Sequence, residues 1–146
     1  MYQTDVIVEK MFRVYNIMQE NGKQPRDFGI GHLLFQAELH TLSAICKHEL
    51  VNASELAQIM GITKGAITQV VNKLIQKGLV EKFNMPGNKK EVYFRLTENG
   101  TKVNDDHCEH DKEILQPVNN YLCQLDENKL AAIGQYFDIL LTSLKK

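Results

Sequence analysis

The run from Asn52 to Gly78 constrains the fold more than any other stretch, because its end signals define two short helices around a tight turn. Asn52 and Glu55 have the spacing of a capping box at the start of the first helix. Gly61 suits the turn that follows, since a residue without a Cβ adopts a left-handed conformation at the lowest cost. Thr63 can cap the second helix, which Gly78 ends. The sequence therefore predicts a helix-turn-helix.

The second predicted helix has two contrasting faces. One face is apolar and is expected to be buried; it contains Ile67, Val70, Val71, Leu74 and Ile75. The opposite face carries groups that suit phosphates and base edges, namely Lys64, Gly65, Thr68, Gln69, Asn72 and Lys73. A cation in the first turn is disfavoured by the helix dipole, and a bound phosphate would relieve that cost at Lys64. Lys64 alone is equally compatible with an exposed lysine without a role, but the whole pattern favours DNA binding.

Within this face the side chains suggest a division of roles. Gln69 and Asn72 are the best candidates for base contacts, because their amides match the hydrogen-bonding edge of adenine. Thr63, Lys64 and Lys73 are expected to hold phosphates.

A β-hairpin is predicted directly after this helix. Residues 79–83 and 92–96 read as strands, and the turn between them carries two adjacent cations. The tip residues Asn88, Lys89 and Lys90 are expected to contact DNA phosphates or the minor groove. The alternative is a structural hairpin with a solvated tip.

The charge distribution agrees with a DNA-binding central segment. The chain has 146 residues and a net charge of −1. Residues 49–97 contain seven Lys/Arg and four Asp/Glu, whereas residues 98–114 contain two and six. The basic charge therefore lies on the proposed DNA-binding part, and local fields of this kind steer association. Charged residues interrupt the first thirty positions, so we expect no signal peptide or membrane span and a cytoplasmic protein.

Four motifs give the chain a resemblance to the MarR (multiple antibiotic resistance regulator) family of transcription factors. They are Ser-Glu-Leu-Ala at 54–57, the helix from Thr63 to Leu74, Lys-Gly-Leu-Val at 77–80 and Leu-Thr-Glu-Asn-Gly at 96–100. The match covers about residues 33–101. The resemblance implies a mainly α fold with a small β-hairpin wing, in which a winged helix-turn-helix core is flanked by dimerisation helices. It also implies a homodimer on double-stranded DNA.

The wing departs from the family pattern. The family usually carries Asp-Arg-Arg where this chain has Asn88, Lys89 and Lys90. Lysine lacks the planar fork of arginine, and Asn88 cannot form the family's acid–base brace. We therefore expect weaker minor-groove readout.

Three domains are expected from the order of the elements. They are an N-terminal dimerisation helix and linker at 1–32, the winged domain at 33–100 and C-terminal dimerisation helices at 101–146. The amphipathic pattern predicts helices over residues 4–20, 33–48 and 97–125, and a last helix capped by Asp126. Pro117 should bend the long helix. Two protomers would then bind half-sites about one DNA turn apart in a pseudo-palindromic operator; a monomer is the alternative.

The chain also offers candidate residues for an effector pocket. Family members commonly bind aromatic or phenolic anions beside the dimer helices, and six residues are candidates for such a pocket here: Met11, Tyr15, Phe35, His40, His107 and His110. Some relatives sense zinc through His and Glu, and His107 with His110 or Asp111 has suitable spacing. Glu38 and His40 diverge, so no metal site and no cofactor is predicted; a zinc-responsive regulator remains an alternative.

Other classes of function receive less support. Cys46, Cys108 and Cys123 form no CxxC pair, and Cys46 is expected to be packed inside. No Gly-rich phosphate loop, nucleophile elbow or HExxH motif is present, so the chain is predicted not to be an enzyme and to have no catalytic residues. A winged helix can also serve as a protein-interaction module, but such a surface would more often expose aromatic or aliphatic side chains.

Overall fold

The computed structural model describes residues 3–144 and confirms a mainly α fold with a small sheet. Within this range the helices are α1 (Thr4–Gly22), α2 (Gln36–Lys47), α3 (Ala53–Met60), α4 (Lys64–Gln76), α5 (Glu98–Leu122) and α6 (Glu127–Leu144). The strands are β1 (Arg26–Asp27), β2 (Leu33–Leu34), β3 (Val51–Asn52), β4 (Val80–Phe83) and β5 (Tyr93–Leu96). None of the helices in the described range combines the length and apolar character needed to span a membrane.

The chain forms two compact units, residues 1–108 and 109–146, with the division inside α5. The first unit contains the helix-turn-helix, the wing and α1. The second contains the rest of α5 and α6. The hydrophobic core lies in the first unit and includes Leu34, Leu39, Leu42, Ile45, Val51, Leu56, Ile67, Val71, Leu74, Leu79, Val80, Phe94 and Val103.

The end signals of the helix-turn-helix act as the sequence predicts. The Asn52 side chain accepts a hydrogen bond from the Glu55 amide at 2.9 Å, and the Glu55 carboxylate accepts one from the Asn52 amide at 2.9 Å. This capping box satisfies two amides that the first turn of α3 leaves unpaired. Gly61 ends α3 with a φ of 66°, and the Thr63 hydroxyl accepts from the Ala66 amide at 3.2 Å to start α4. The predicted turn is thus confirmed.

The apolar face of α4 is buried as predicted. Ile67, Val71 and Leu74 are fully enclosed, whereas Val70 and Ile75 flank them and are half-buried. Burial of each such aliphatic side chain stabilises the fold by about 1.5–3 kcal/mol. This face fixes the rotation of α4, so the opposite face points away from the core.

Two expectations for α2 are corrected. The helix begins at Gln36 rather than at residue 33, because Leu33 and Leu34 form β2 and pair with β1. Cys46 is exposed and does not pack inside. Its spacing from Leu39 and Leu42 places it on their face of the helix, but it lies in the last turn, and residues 46–50 are all exposed.

The wing is a three-stranded antiparallel sheet in the order β3-β5-β4. Lys82 pairs with Phe94 across β4 and β5, and Val51 pairs with Phe94 across β3 and β5. The sequence predicted the hairpin but missed β3, which has only two residues and shows no alternation. The expected alternation at 79–83 is also imperfect, because Leu79 and Val80 are both buried.

The junction between the wing and α5 is tightly packed. The Thr97 hydroxyl donates to the Gly78 carbonyl at 2.6 Å, and the Thr97 amide donates to the Leu79 carbonyl at 3.0 Å. The same hydroxyl accepts from the Gly100 amide at 3.1 Å and so caps α5. Thr97 therefore precedes the helix instead of beginning it.

The terminal helices expose much of their apolar surface within their own units. α1 runs to Gly22, two residues past the predicted end, and has no buried residue. The buried residues of α5 are Gly100, Val103, Asn104 and His107, and the helix continues through Pro117. In the second unit the Asp126 carboxylate accepts from the Lys129 amide at 3.0 Å, which confirms the predicted cap of α6.

Candidate nucleic-acid interface

The predicted DNA-reading face of α4 is fully open to solvent. All six of its side-chain positions are exposed: Lys64, Gly65, Thr68, Gln69, Asn72 and Lys73. The Thr68 hydroxyl donates to the Lys64 carbonyl at 2.7 Å, so it presents only acceptor lone pairs outward. The large apolar side chains of α4 are all buried or half-buried. The face therefore offers hydrogen-bonding groups and cations with no competing apolar patch.

The start of α4 is suited to an anion. Its first turn contains no acidic residue, and Thr63 satisfies only one of the leading amides through its contact with Ala66. Amides that lack a partner point outward at the positive end of the helix dipole. Lys64 adds a full positive charge at the same place. A phosphate at this end would relieve the unfavourable placement of the lysine.

The tip of the wing has a defined backbone. The Asn88 amide donates to the Met85 carbonyl at 3.0 Å, which closes a β-turn around Pro86 and Gly87. Gly87 has a φ of 80°. Proline followed by a residue with positive φ is the pattern of a type II turn, for which glycine is the natural third residue.

Asn88 organises the residues that follow the turn. Its side-chain oxygen accepts from the Lys90 amide at 3.1 Å and from the Glu91 amide at 3.2 Å. Asn88 is half-buried, while Lys89 and Lys90 are exposed. Asn88 thus shapes the tip of the wing, and the exposed Lys89 and Lys90 give the tip its positive charge.

A groove of about 360 Å³ connects the wing with the helix-turn-helix. The cations Lys64 and Lys90 both line it. The other lining residues are Asn52, the first two residues of α3 (Ala53 and Ser54), Glu91, Val92 and Phe94. Two cations and a helix N-terminus around one groove form an environment that suits a phosphate group.

Two other cations of the winged segment are committed within the protein. The Lys77 ammonium lies 2.6 Å from the Glu38 carboxylate and donates to the Leu33 carbonyl at 2.8 Å. Arg95 pairs with Glu81 and stacks over the Phe83 ring at 5.1 Å. The sequence analysis missed both partnerships. Lys77 and Glu38 lie 39 residues apart, and Arg95 meets Glu81 only once the register of β4 and β5 is set.

The six effector candidates have different surroundings. His107 is buried, Met11 and His40 are half-buried, and Tyr15, Phe35 and His110 are exposed. The structure brings the His40 and His107 rings together with 5.8 Å between their centroids. This pair joins α2 to α5 within the first unit.

The three thiols differ in their exposure to solvent. Cys46 and Cys123 are exposed, and Cys108 is half-buried. The Cys108 sulfur lies 3.9 Å from the Ser43 hydroxyl and 3.8 Å from the Asn104 side-chain oxygen. All three cysteines are free, in agreement with the absence of a disulfide pattern in the sequence.

The exposed polar face of α4, the basic wing and the shared groove define a winged helix-turn-helix protein. The MarR family model matches residues 34–92, which contain these elements. This match agrees with the resemblance that the sequence motifs indicated.

Relatives with similar sequences are helix-turn-helix (HTH) regulators. The chain is 29% identical over 109 residues to an HTH-type transcriptional regulator of Bacillus subtilis, YhjH, and 27% identical over 107 residues to PchR of the same organism. These matches cover 75% and 73% of this chain but only 62% and 63% of the two relatives. The relatives are named as regulators rather than enzymes, in agreement with the prediction that the chain is not an enzyme.

Solved structures share the fold. The adhesin competence repressor AdcR of Streptococcus pyogenes superposes with a TM-score of 0.74 at 16% identity, covering 99% of this chain and all of that one. FabT of Streptococcus pneumoniae, solved in complex with DNA, has a TM-score of 0.70 at 22% identity, covering 98% of each chain. A zinc-responsive MarR family member, ZitR of Lactococcus lactis, has a TM-score of 0.68 at 16% identity, covering 95% and 96%.

Proposed function

We propose that the protein is a homodimeric, sequence-specific transcriptional repressor that binds pseudo-palindromic operators in the cytoplasm and is released by a small-molecule effector. The observation that carries this proposal is the placement of Lys64 and Lys90 on one groove beside the exposed polar face of α4. An α-helix with such a face fits the major groove of B-DNA. FabT, which shares the fold, was solved in complex with DNA.

The roles on DNA follow from the chemistry of each group. Gln69 and Asn72 stand on the exposed middle of α4, where their amides suit adenine. Thr63, Lys64 and Lys73 hold phosphates, and Gly65 lets the helix start approach closely. Lys89 and Lys90 grip the backbone from the wing, and Asn88 holds the tip that carries them.

A second copy of the chain is the proposed cover for the terminal helices. Within the first unit, α1 leaves Phe12 and Tyr15 each 56% exposed. Within the second unit, α6 leaves Phe137 54% and Leu144 74% exposed. Apolar stripes of this kind need a partner surface. A twofold dimer would also set the spacing of two recognition helices to one turn of DNA.

The effector is proposed to act by shifting the population of dimer geometries. A small aromatic or anionic ligand near Met11, Tyr15, Phe35, His40, His107 and His110 would favour a half-site spacing unlike that of the operator. Such a ligand must then weaken DNA binding by its differential affinity for the two states.

The decisive experiment measures binding of the purified protein to a pseudo-palindromic duplex from upstream of its own gene, alongside a scrambled duplex. We expect tighter binding to the first, with both affinities falling as salt rises. A sedimentation mass should equal two chains at micromolar concentration. Lack of any salt-dependent duplex binding would favour the protein-interaction alternative, and a single-chain mass would refute the dimer.

Zinc regulation is a second candidate, favoured by the proximity of the His40 and His107 rings. Imidazole suits Zn²⁺, and both rings belong to the first unit. Glu38 does not fit this set, because its carboxylate is held by Lys77 and by the Phe35 amide at 2.9 Å. ZitR, which shares the fold, is a zinc-responsive regulator.

Dialysis against a chelator separates the two candidates. If zinc is the effector, adding it back to the stripped protein should raise the melting temperature and change operator affinity. His40→Ala should abolish both responses. His48 is an exposed residue outside the helices, so His48→Ala should leave both responses intact. Identical behaviour with and without zinc would eliminate the metal candidate and leave the organic effector.

A further inference from the structure

Glu91 is the point at which the hydrogen bonds of the wing converge. Its carboxylate accepts from the Asn88 side-chain amide at 3.1 Å and from the Tyr93 hydroxyl at 2.6 Å. Its backbone carbonyl accepts from the Asn84 side chain at 2.6 Å. The Glu91 amide donates to the Asn88 side-chain oxygen. One residue thus ties together both strands and the tip of the hairpin.

The same carboxylate lies where a negative charge opposes the proposed function. Glu91 lines the groove that Lys64 and Lys90 share. A phosphate that enters this groove meets two cations and one anion, and the anion reduces the attraction. The charge also acts on its neighbour, because the hydrogen bond to Glu91 raises the pKa of the Tyr93 hydroxyl. If Glu91 contributed nothing to the geometry of binding, a neutral residue at this position would strengthen the binding of a phosphate.

We propose that Glu91 is a positioning residue that presets the wing for the DNA backbone and, through its charge, limits the strength of that contact. This inference rests on the proposed function. Positioning of the wing raises the affinity for DNA, whereas the charge of Glu91 lowers it. The hydrogen bonds of Glu91, which we call the brace, hold the tip with Lys89 and Lys90 in place before DNA binds. Less conformational entropy is then lost on binding. The carboxylate repels phosphate and keeps sequence-independent affinity low, so base contacts from α4 decide where the protein binds.

Asn88 is matched to this carboxylate. Its Nδ2 donates to Glu91, while its Oδ1 accepts backbone amides of the tip. An aspartate at position 88, the usual residue of the resembled family, could still accept the backbone amides of the tip. It could no longer donate to the Glu91 carboxylate. It would also set two carboxylates side by side, which is unfavourable. Asparagine at 88 and glutamate at 91 therefore act as a pair.

Two substitutions at Glu91 separate the brace from the charge. Glu91→Gln removes the charge but keeps a carbonyl oxygen that accepts from Tyr93. Glu91→Ala removes both. At low salt we expect Glu91→Gln to bind a scrambled duplex about threefold more tightly than the natural protein, a gain that shrinks as salt screens the charge. Glu91→Ala should bind at least about threefold more weakly than Glu91→Gln at every salt concentration, because its tip must be ordered on binding.

Equal affinities of the Gln and Ala variants would overturn the positioning role, and no gain in Glu91→Gln would overturn the role of the charge. Asn88→Asp should weaken binding in the natural background and do so less in the Glu91→Gln background. Thermal melting of each variant checks that the fold persists. If the natural protein fails to bind any duplex, the proposed function fails; if it binds and the variants are indistinguishable, only this inference fails.

Discussion

Gly100 in the first turn of α5 lies directly against the backbone carbonyl of Leu79. A Cβ built on Gly100 would overlap the Leu79 oxygen and would stand 2.9 Å from its carbonyl carbon. That carbonyl already accepts from the Thr97 amide at 3.0 Å, so it has no freedom to turn away. The close approach explains why the Leu-Thr-Glu-Asn-Gly segment ends in glycine: only hydrogen fits between the wing and the long helix.

Gly100→Ala should therefore destabilise the protein by about 1–3 kcal/mol or more, because backbone must move to admit the methyl group. Chemical unfolding followed by circular dichroism measures the change. Gly134→Ala is the matched control, since nothing lies within 4 Å of a Cβ at that helical glycine. It should stabilise α6 by about 0.5–1 kcal/mol through helix propensity. Similar stabilities of the two variants would contradict the close contact.

Gly65→Ala should separate stability from DNA binding. Nothing lies within 4 Å of a Cβ at Gly65, so the free protein should be no less stable and gain up to about 0.5 kcal/mol. On DNA the same methyl group would stand between the helix start and the duplex, so operator affinity should fall. Melting and fluorescence anisotropy on one sample test both parts. Unchanged affinity would show that the start of α4 keeps its distance from DNA.

Lys77→Met should destabilise the fold strongly. The pair with Glu38 is enclosed, with side-chain exposures of 19% and 4%, and losing the ammonium leaves Glu38 as a buried charge without its cation. Removal of one partner of a buried pair costs about 3–5 kcal/mol, and Glu38→Gln in the same chain should restore part of that loss. Lys102→Met, which breaks a solvent-exposed pair with Glu98, should change stability by about 0.5 kcal/mol or less. Equal effects of the two lysine variants would refute the structural role of Lys77.

The exposed face of α4 and the wing should respond differently to substitution. Gln69→Ala should narrow the difference in affinity between the operator and a scrambled duplex, because an amide that reads a base is lost. Lys89→Ala combined with Lys90→Ala should weaken both duplexes by a similar factor and reduce the dependence on salt. Competition binding at three salt concentrations measures both. Loss of discrimination in the lysine variant, or equal losses on both duplexes from Gln69→Ala, would contradict this division.

Asp126 should give the start of α6 a dependence on acid pH. Its hydrogen bond to the Lys129 side chain, at 2.6 Å, and the bond to the Lys129 amide lower the pKa of the carboxyl. A lowered pKa contributes stability that is present above the ordinary aspartate value and is lost as pH falls through the lowered value. Carboxyl NMR of the natural protein should show this titration. Asp126→Asn, which keeps a capping oxygen, should lose the pH dependence at the amide of Lys129 while keeping its hydrogen bond.

The local parts of the fold were predictable because each rests on neighbours in the sequence. The capping box at Asn52 and Glu55, the turn at Gly61 and the buried stripe of α4 all follow from spacings of three or four residues. Strand β3 was not predictable, since Val51 and Asn52 become a strand only by pairing with Phe94 and Tyr93 across the sheet. The start of α2 failed for a similar reason, because β2 exists only through its pairing with β1.

The candidate interface divides in the same way. Exposure of Gln69 and Asn72 follows from the periodicity of one helix. The role of Asn88 does not, because it depends on side-chain hydrogen bonds within an irregular turn, which has no periodic pattern. Burial of Glu38 against Lys77 joins positions 39 residues apart, and no local pattern announces it. The exposed face of α4 is thus predictable from its own residues, whereas contacts between separate elements are not.

The ion pairs of Lys77 and Arg95 set a limit on how strongly the winged segment can respond to electrolyte. Residues 49–97 contain seven Lys and Arg, and these two already neutralise carboxylates within the protein. While both pairs stay closed, five cations of this segment per protomer remain to displace condensed counterions from a duplex. The logarithm of affinity should then fall with the logarithm of salt at a slope no steeper than about −4.5 per protomer. For two protomers on one operator, the slope of log affinity against log salt would then be at most twice as steep.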